Sequence, residues 1–301
     1  MRFGITLSNR GILLGLTTVP KLLALADAVE ASPLYDSIWA GDALFANPRL
    51  DAFTLLAALA GRTQRSLLGT ACMGSFALRD PRVFAAEWAS LDVISGGRTR
   101  LSVCAGGGGD AWTRESDAMG VPPAERRKRM IENIAVLRHL WTCDDQPFEG
   151  QFLRFPGIRL LPKPIQSPCP IWLTTNAGRL GNWQLDAGGS DFALKRAGRI
   201  ADGWMTHSVS HAGFRQSLDV VLQAGQDAGR DMTDFDNILC HHVNIGADEA
   251  TALADAKQYL DGYYSANYTA ERLRAWGVYG PPARCIEQLR RFLDSGCRRI
   301  T

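Results

Sequence analysis

Short apolar runs recur along this chain, and almost every one is followed by a longer stretch with helical spacing. No other feature restricts the fold so tightly. RFGITLS (2–8), DSIWAG (36–41), SLLGTACM (66–73), TRLSVCAG (99–106), IWLTT (171–175), DGWMTH (202–207), NILCHHVNIG (237–246) and CRRIT (297–301) read as strands. Helical patterns lie near 18–31, 51–62, from 81, at 122–142, 190–201, 212–229, 248–264 and 282–295. Their apolar stripes include Leu22, Leu25, Ala26 and Val29; Phe84, Trp88 and Leu91; and Met130, Ile134, Leu137 and Trp141. Strands that are apolar on both faces and alternate with helices imply buried parallel strands joined by crossovers. The count of eight favours an α/β chain closed into a (β/α)8 TIM barrel over an open doubly wound sheet. The absence of G-x-G-x-x-G after the first strand points the same way.

The middle of the chain is less regular. PFEGQFLRF (147–155) alternates around Glu149-Gly150 and predicts a small hairpin. Pro162, Pro164, Pro168 and Pro170 then impose an extended, non-helical segment. The expected organisation is one barrel domain over 1–301, with insertions at about 144–170 and 176–189. The chain ends inside the eighth strand, so the last βα unit reads as truncated.

Charge and cysteine usage narrow the partners. A net charge of +2 gives no electrostatic reason to expect nucleic acid or an acidic membrane. The basic run Arg126–Arg129 reads as the solvated face of a helix. Seven scattered cysteines without a C-x-x-C pair indicate neither a disulfide framework nor a zinc site, and fit reduced thiols in a cytoplasmic protein. No leader pattern opens the chain, and no apolar stretch approaches the roughly 20 residues that span a bilayer.

In such barrels the chemistry sits at the C-terminal strand ends. That rule selects Ser8 and Asn9, Gly41 and Asp42, Cys72 to Ser75, Cys104 to Asp110, Thr174 to Asn176, His207, and His241 to Asn244. Few of these ionise, which suits a mouth shaped for a large flat ligand better than one built on an acid–base pair. Gly106 to Gly109 lack the lysine of a P-loop and read as a flexible loop or a place where the backbone must approach a ligand closely. Gly188-Gly189-Ser190 turn a loop into a helix, either as a phosphate cradle or simply as a cap. His139 reads as a surface or packing residue. His241 and His242 are adjacent in a strand, so at most one enters the barrel. No histidine pair has metal-ligand spacing, and no G-x-S-x-G elbow supports a hydrolase.

The chain resembles the luciferase-like monooxygenase family of flavin- or deazaflavin-dependent barrels. The resemblance rests on YDSIWAGD (35–42), DPRVFAAEWASLDVISGGRTRLSVCAGG (80–107), GVPPAERRKRMIENIAVLRHLWT (120–142), FEGQFLRF, LLPKPIQ, PIWLTT and GGSDFALKRAGRIADGWM (188–205), in family order. It implies reduced FMN, or alternatively the deazaflavin coenzyme F420, lying across the mouth. The phosphate would meet Gly188, Gly189 and Ser190, and Thr174 and Gly106 would lie along the cofactor. A cis peptide at Ala71-Cys72 would cushion the ring, with Cys104 near its reactive edge. The favoured activity is a monooxygenase that uses reduced FMN and oxygen on a small organic substrate, served by a separate flavin reductase and working as a homodimer. The alternatives are deazaflavin-dependent hydride transfer, a non-catalytic flavin-binding barrel, and a metal-independent hydrolase or lyase on the same fold. Asp42 and His207 are the candidate catalytic residues. Asp42 is expected to orient a ligand, because Ala43 stands where the family commonly has histidine. Phe45, Phe76, Trp112 and Trp204 are expected to line the pocket.

Overall fold

The computed structural model describes residues 2–176 and 189–301. Eight parallel strands follow the order β1–β12–β9–β8–β7–β4–β3–β2 around a closed barrel. In chain order the elements begin β1 (Arg2–Leu7), α1 (Val19–Ala31), β2 (Tyr35–Ala40), α2 (Ala52–Ala60), β3 (Leu67–Thr70), α3 (Pro81–Ser95), β4 (Thr99–Val103), α4 (Asp110–Ala118) and α5 (Arg126–Thr142). The hairpin β5 (Phe148–Glu149) and β6 (Arg154–Phe155) follows, then β7 (Ile171–Thr174), α6 (Gly189–Ile200), β8 (Gly203–His207), α7 (His211–Asp227) and β9 (Asp236–Cys240). The chain finishes with β10 (His242–Ile245), α8 (Glu249–Tyr264), α9 (Ala270–Trp276), β11 (Gly277–Gly280), α10 (Pro282–Asp294) and β12 (Arg299–Ile300). Contacts group these into two compact units, Ile5–Ile171 and Met1–Gly4 with Trp172–Thr301.

In the first unit the caps set the helix starts. Asp51 accepts the Thr54 N–H, and Asp80 accepts the Arg82 N–H just before Pro81. Gly96 takes the left-handed conformation (φ +70°) that ends α3. The stripe residues of α3 and α5 are buried, whereas Leu25 of α1 lies at the edge of its stripe and is exposed. The segment DVISGGRT, within the 80–107 stretch that carries the family resemblance, proves to be a brace. Asp92, fully buried, accepts the Thr99 hydroxyl at 2.6 Å and the Gln166 amide at 2.7 Å. Arg98 donates to the carbonyls of Ser66 and Thr63 at 2.6 and 2.8 Å. Both residues therefore tie the start of β4 to the segments ahead of β3 and β7.

One packing device occurs in both units. Trp39 of β2 is in register with Gly69 of β3, and a Cβ on Gly69 would lie 2.2 Å from the indole. Trp172 of β7 is in register with Gly203 of β8, where a Cβ would lie 2.5 Å from the indole. A glycine on one strand thus admits a tryptophan from the next.

The second unit departs from the sequence expectation at NILCHHVNIG. A single strand over 237–246 was expected; the chain instead breaks at His241. β9 remains in the barrel, and β10 pairs in parallel with β11, His242 to Gly277 through Ile245 to Gly280. The unexpected α9 and β11 enclose a satellite core with α8, built from Leu253, Ala256, Leu260, Leu273 and Tyr279. The short β12 is followed directly by Thr301, whose N–H donates to Leu239 O at 2.9 Å. Among the described residues, no helix is long and apolar enough to cross a membrane.

Candidate functional site

In the first unit, Asp42 lies two residues beyond β2 and is buried. Its carboxylate accepts the Ser75 N–H at 2.8 Å and faces Arg79 at 3.4 Å. Arg79 is held more tightly by Asp51, at 2.6 Å. Burial pushes the Asp42 carboxyl above its ordinary range, and Arg79 and Ser75 offset this only in part. Asp42 thus anchors the loop after β3 through a buried hydrogen bond.

Cys72 and Cys104 follow β3 and β4. Met73 forms a parallel bridge with Val103, and the Cys72 thiol donates to the Cys104 sulfur. That donor, helped by the Gly106 N–H and Arg126, holds the Cys104 thiol below the usual range against burial and Asp42. The Ala71–Cys72 peptide is cis, as the resemblance implies.

Arg126 was expected on a solvated face with its basic neighbours. Arg127 and Lys128 are exposed, but Arg126 is only 4% exposed. Its Nε donates to Ala105 O and its Nη2 to Gly74 O, each at 2.8 Å, while the guanidinium lies 5.3 Å from the Trp112 ring. Glu115, buried beside it at 3.5 Å, accepts the N–H groups of Phe45 and Ala46 at 2.7 and 2.9 Å. This pair binds together the loops that follow β2, β3 and β4. Gly106 was expected in a flexible loop or close to a ligand; what lies against it is Arg126, and a Cβ there would fall 2.1 Å from the guanidinium. The Gly106–Gly109 run is correspondingly short, because α4, absent from the sequence reading, starts at Asp110.

In the second unit His207 ends β8. Its Nδ1 lies 2.8 Å from the Ser208 hydroxyl, and Ser208 is a buried non-glycine residue with φ +56°. The His207 ring lies 5.6 Å from Trp276, which also meets His242 at 4.7 Å, Tyr264 at 5.3 Å and the Arg272 guanidinium at 5.7 Å. Burial brings the imidazole pKa values down to about 3 for His207, about 3 for His241 and about 4 for His242. All three rings are therefore neutral at physiological pH. His241 turns away from His242 and packs on Phe292 at 5.0 Å. Several buried polar atoms of this unit have no hydrogen-bond partner: Asn176 Oδ1, Thr206 Oγ1, His241 Nδ1, His242 Nε2 and Trp276 Nε1.

Of the expected pocket aromatics, Phe76 and Trp204 are core residues, packed on Phe84 and Phe214. Phe45 is exposed and Trp112 half-buried. His139 is a packing residue, its ring 5.4 Å from Phe148. Thr174 closes β7 in register with Met205. Gly188 lies outside the described residues, and Gly189 and Ser190 open α6. Among the described residues no group of three His, Cys, Asp or Glu side chains could hold a metal. Arg126 was nonetheless visible in the sequence: it precedes Met130 by four residues and Ile134 by eight, so it shares their stripe.

A family model described as luciferase-like monooxygenase matches residues 1–299. An F420-dependent glucose-6-phosphate dehydrogenase of Nakamurella multipartita is 27% identical over 273 residues, covering 81% of this chain and 74% of that protein. An uncharacterized protein of Mycobacterium tuberculosis is 35% identical over 158 residues, 52% of this chain and 48% of its own. The chain thus spans about half the length of that relative. An F420-dependent secondary alcohol dehydrogenase, solved with an F420-acetone adduct, superposes with a TM-score of 0.81 at 17% identity, over 99% of this chain and 92% of its own. Monooxygenase RslO1 from Streptomyces bottropensis superposes at 0.77 and 23% identity, over 100% and 91%. At these identities the two structures bear on the fold alone.

Proposed function

The chain belongs to the luciferase-like monooxygenase family, and from that premise we propose that it is an oxidoreductase that uses the deazaflavin coenzyme F420 for hydride transfer with a small polar organic substrate. The observation that carries the reading is the set of unpartnered polar atoms beside Trp276 and at the ends of β7, β8 and β9. Buried polar groups without partners are costly, so these atoms fit a polar-edged ligand that supplies the missing hydrogen bonds. The 27% identical relative, named as F420-dependent and matched over most of this chain, supports the choice of coenzyme. When bound, the deazaflavin supplies a hydride donor or acceptor that does not activate oxygen.

The chain's own residues would hold and orient. In the tautomer in which the Ser208 hydroxyl donates to Nδ1, the neutral His207 ring would carry its proton on Nε2 and donate a hydrogen bond to substrate oxygen. A ring with a pKa near 3 is a poor general base at neutral pH, so His207 positions more than it abstracts. Asp42 acts through Ser75 and Arg79 on the loop after β3.

A second reading, the FMN-dependent monooxygenase supplied by a flavin reductase, draws support from the acidified Cys104 thiol, which suits a position near the edge of a reactive flavin. Titration of the purified protein with reduced F420 and reduced FMN, under nitrogen and then air, separates the two. Tight F420 binding, with substrate-dependent change in its visible absorbance and no oxygen uptake, is expected. Binding of FMN alone with oxygen consumption would replace the first reading by the second, and binding of neither would overturn both. A homodimer is proposed for either case and is read by sedimentation.

A further inference from the structure

Cys72 and Cys104 are set apart from the other cysteines by position and surroundings. Met73 and Val103, the residues bridged between the two strand ends, are both fully buried. The Met73 N–H donates to Ser102 O at 2.8 Å, and the Cys104 N–H donates back to Met73 O at 3.3 Å. Side chains alternate along extended backbone, so the cysteines flanking this bridge turn away from the side that Met73 and Val103 fill. Both are half-buried, and their sulfurs share a hydrogen bond. By contrast Cys169, Cys285 and Cys297 are buried thiols whose surroundings raise their pKa, to about 12 for Cys169 and Cys297.

We propose that Cys72 and Cys104 form a peroxide-reactive dithiol that closes into a disulfide between the ends of β3 and β4. The reactive species is a thiolate, and Cys104 is the one favoured: the Cys72 S–H, the Gly106 N–H and the Arg126 guanidinium all stabilise a negative sulfur there. The oxidant is hydrogen peroxide or an organic hydroperoxide. The Cys104 sulfur attacks one peroxide oxygen; the S–O bond forms, the O–O bond breaks, and the departing oxygen takes a proton and leaves as water or alcohol. The Cys72 sulfur then attacks the sulfenic acid. The S–S bond forms, the S–O bond breaks, and the Cys72 proton leaves with the hydroxyl as a second molecule of water. Two thiols are oxidised by two electrons, and one peroxide is reduced by two. A thiol already in hydrogen-bond contact resolves the sulfenic acid before a second peroxide can carry it further.

The test needs no cofactor and so is independent of the functional reading above. The reduced protein is treated with a small excess of hydrogen peroxide, alkylated and digested without reductant. The expected product is a peptide pair joined through Cys72 and Cys104, two hydrogen masses lighter than its parts and reversed by dithiothreitol. In Cys72→Ser the oxidation stops at Cys104 and is captured there by dimedone. A wild-type protein in which Cys104 carries a lasting dimedone adduct while Cys72 remains alkylatable overturns the proposal. So does oxidation spread over Cys143 and Cys240 with no Cys72–Cys104 link. The wild-type arm decides the question even where a serine variant folds poorly.

Discussion

Replacing Arg126 with methionine keeps most of the side chain's length and apolar stem but removes the guanidinium from a buried site. Four acceptors lose a donor: Ala105 O and Gly74 O at 2.8 Å, the Ser116 hydroxyl at 3.1 Å and Trp112 O at 3.3 Å. Glu115, 1% exposed, keeps its two backbone N–H bonds but loses its countercharge, and its Oε1 has no other partner. Breaking a buried pair from one side costs about 3–5 kcal/mol. For 301 residues the unfolding entropy is roughly 0.6 kcal/mol per kelvin, so the melting temperature should fall by about 5–8 °C. Glu115→Gln should cost less, because Arg126 keeps its four hydrogen bonds and Gln can still accept from Phe45 or Ala46. The double variant should fall short of the sum of the singles by about 1 kcal/mol or more, since the second change removes the charge that the first left unpaired. Urea unfolding of the wild type, both singles and the double variant measures this. A loss below about 1 kcal/mol in Arg126→Met, or strict additivity, would show that the pair does not brace the loops.

Gly106→Ala, in the same network, meets Arg126 at 2.1 Å from a backbone at φ +87°, and should cost roughly 1–3 kcal/mol by thermal or urea unfolding. Gly69→Ala and Gly203→Ala should each cost about 1–3 kcal/mol and move the fluorescence of Trp39 or Trp172, whereas Gly108→Ala, which meets nothing within 4 Å, should be near neutral. Asp42→Asn can still accept the Ser75 N–H, and Arg79 keeps Asp51, so stability should change by no more than about 1–2 kcal/mol; a larger loss in urea would show that the charge itself holds the loop. For His207, His241 and His242, folded pKa values lowered to about 3, 3 and 4 mean that below pH 6.5 the unfolded chain binds protons that the folded chain refuses. Stability should therefore be full above pH 6.5 and decline as pH falls toward 4, by roughly 1 kcal/mol per histidine at pH 5.5, and His207→Gln should flatten that decline.

The barrel was legible because its strands are buried on both faces and its helices are one-sided, so periodicity alone separated them. The stripes of α3 and α5 fell where the spacing put them. Leu25 was misplaced because a stripe's edge residue has the same spacing whether covered or not. NILCHHVNIG was misread for a related reason: periodicity cannot see a change of hydrogen-bonding partner. The strand ends at Cys240 and another starts at His242, β9 pairing within the barrel and β10 with β11. The signal lay further on, where VYG follows a tryptophan and a glycine, too short a run to stand out beside its helical neighbours.

The site was less legible, because a strand-end rule names positions without saying what each side chain is committed to. It selected Asp42, Cys72, Cys104, His207 and His242 correctly as strand-end groups, yet Asp42 is engaged by Ser75 and Arg79, and Gly106 by Arg126. The same limit applies to DVISGGRT, within the stretch that carries the resemblance. DVISGGRT carries no chemistry, since Asp92 and Arg98 spend their polar atoms on strand starts. Such buried networks penalise every partial substitution, and a motif of this kind identifies the scaffold more sharply than the reaction. In the second unit the groups with no hydrogen-bond partner include His242 Nε2 and Trp276 Nε1, whose rings meet at 4.7 Å. The strand-end rule named both His241 and His242, and of the two it is His242 that meets Trp276. Trp276 comes from α9, an element the strand count had no reason to include, and it brings the indole against His207, His242 and Arg272. Substrate preference should therefore follow changes at α9 more closely than changes in the shared braces of the barrel.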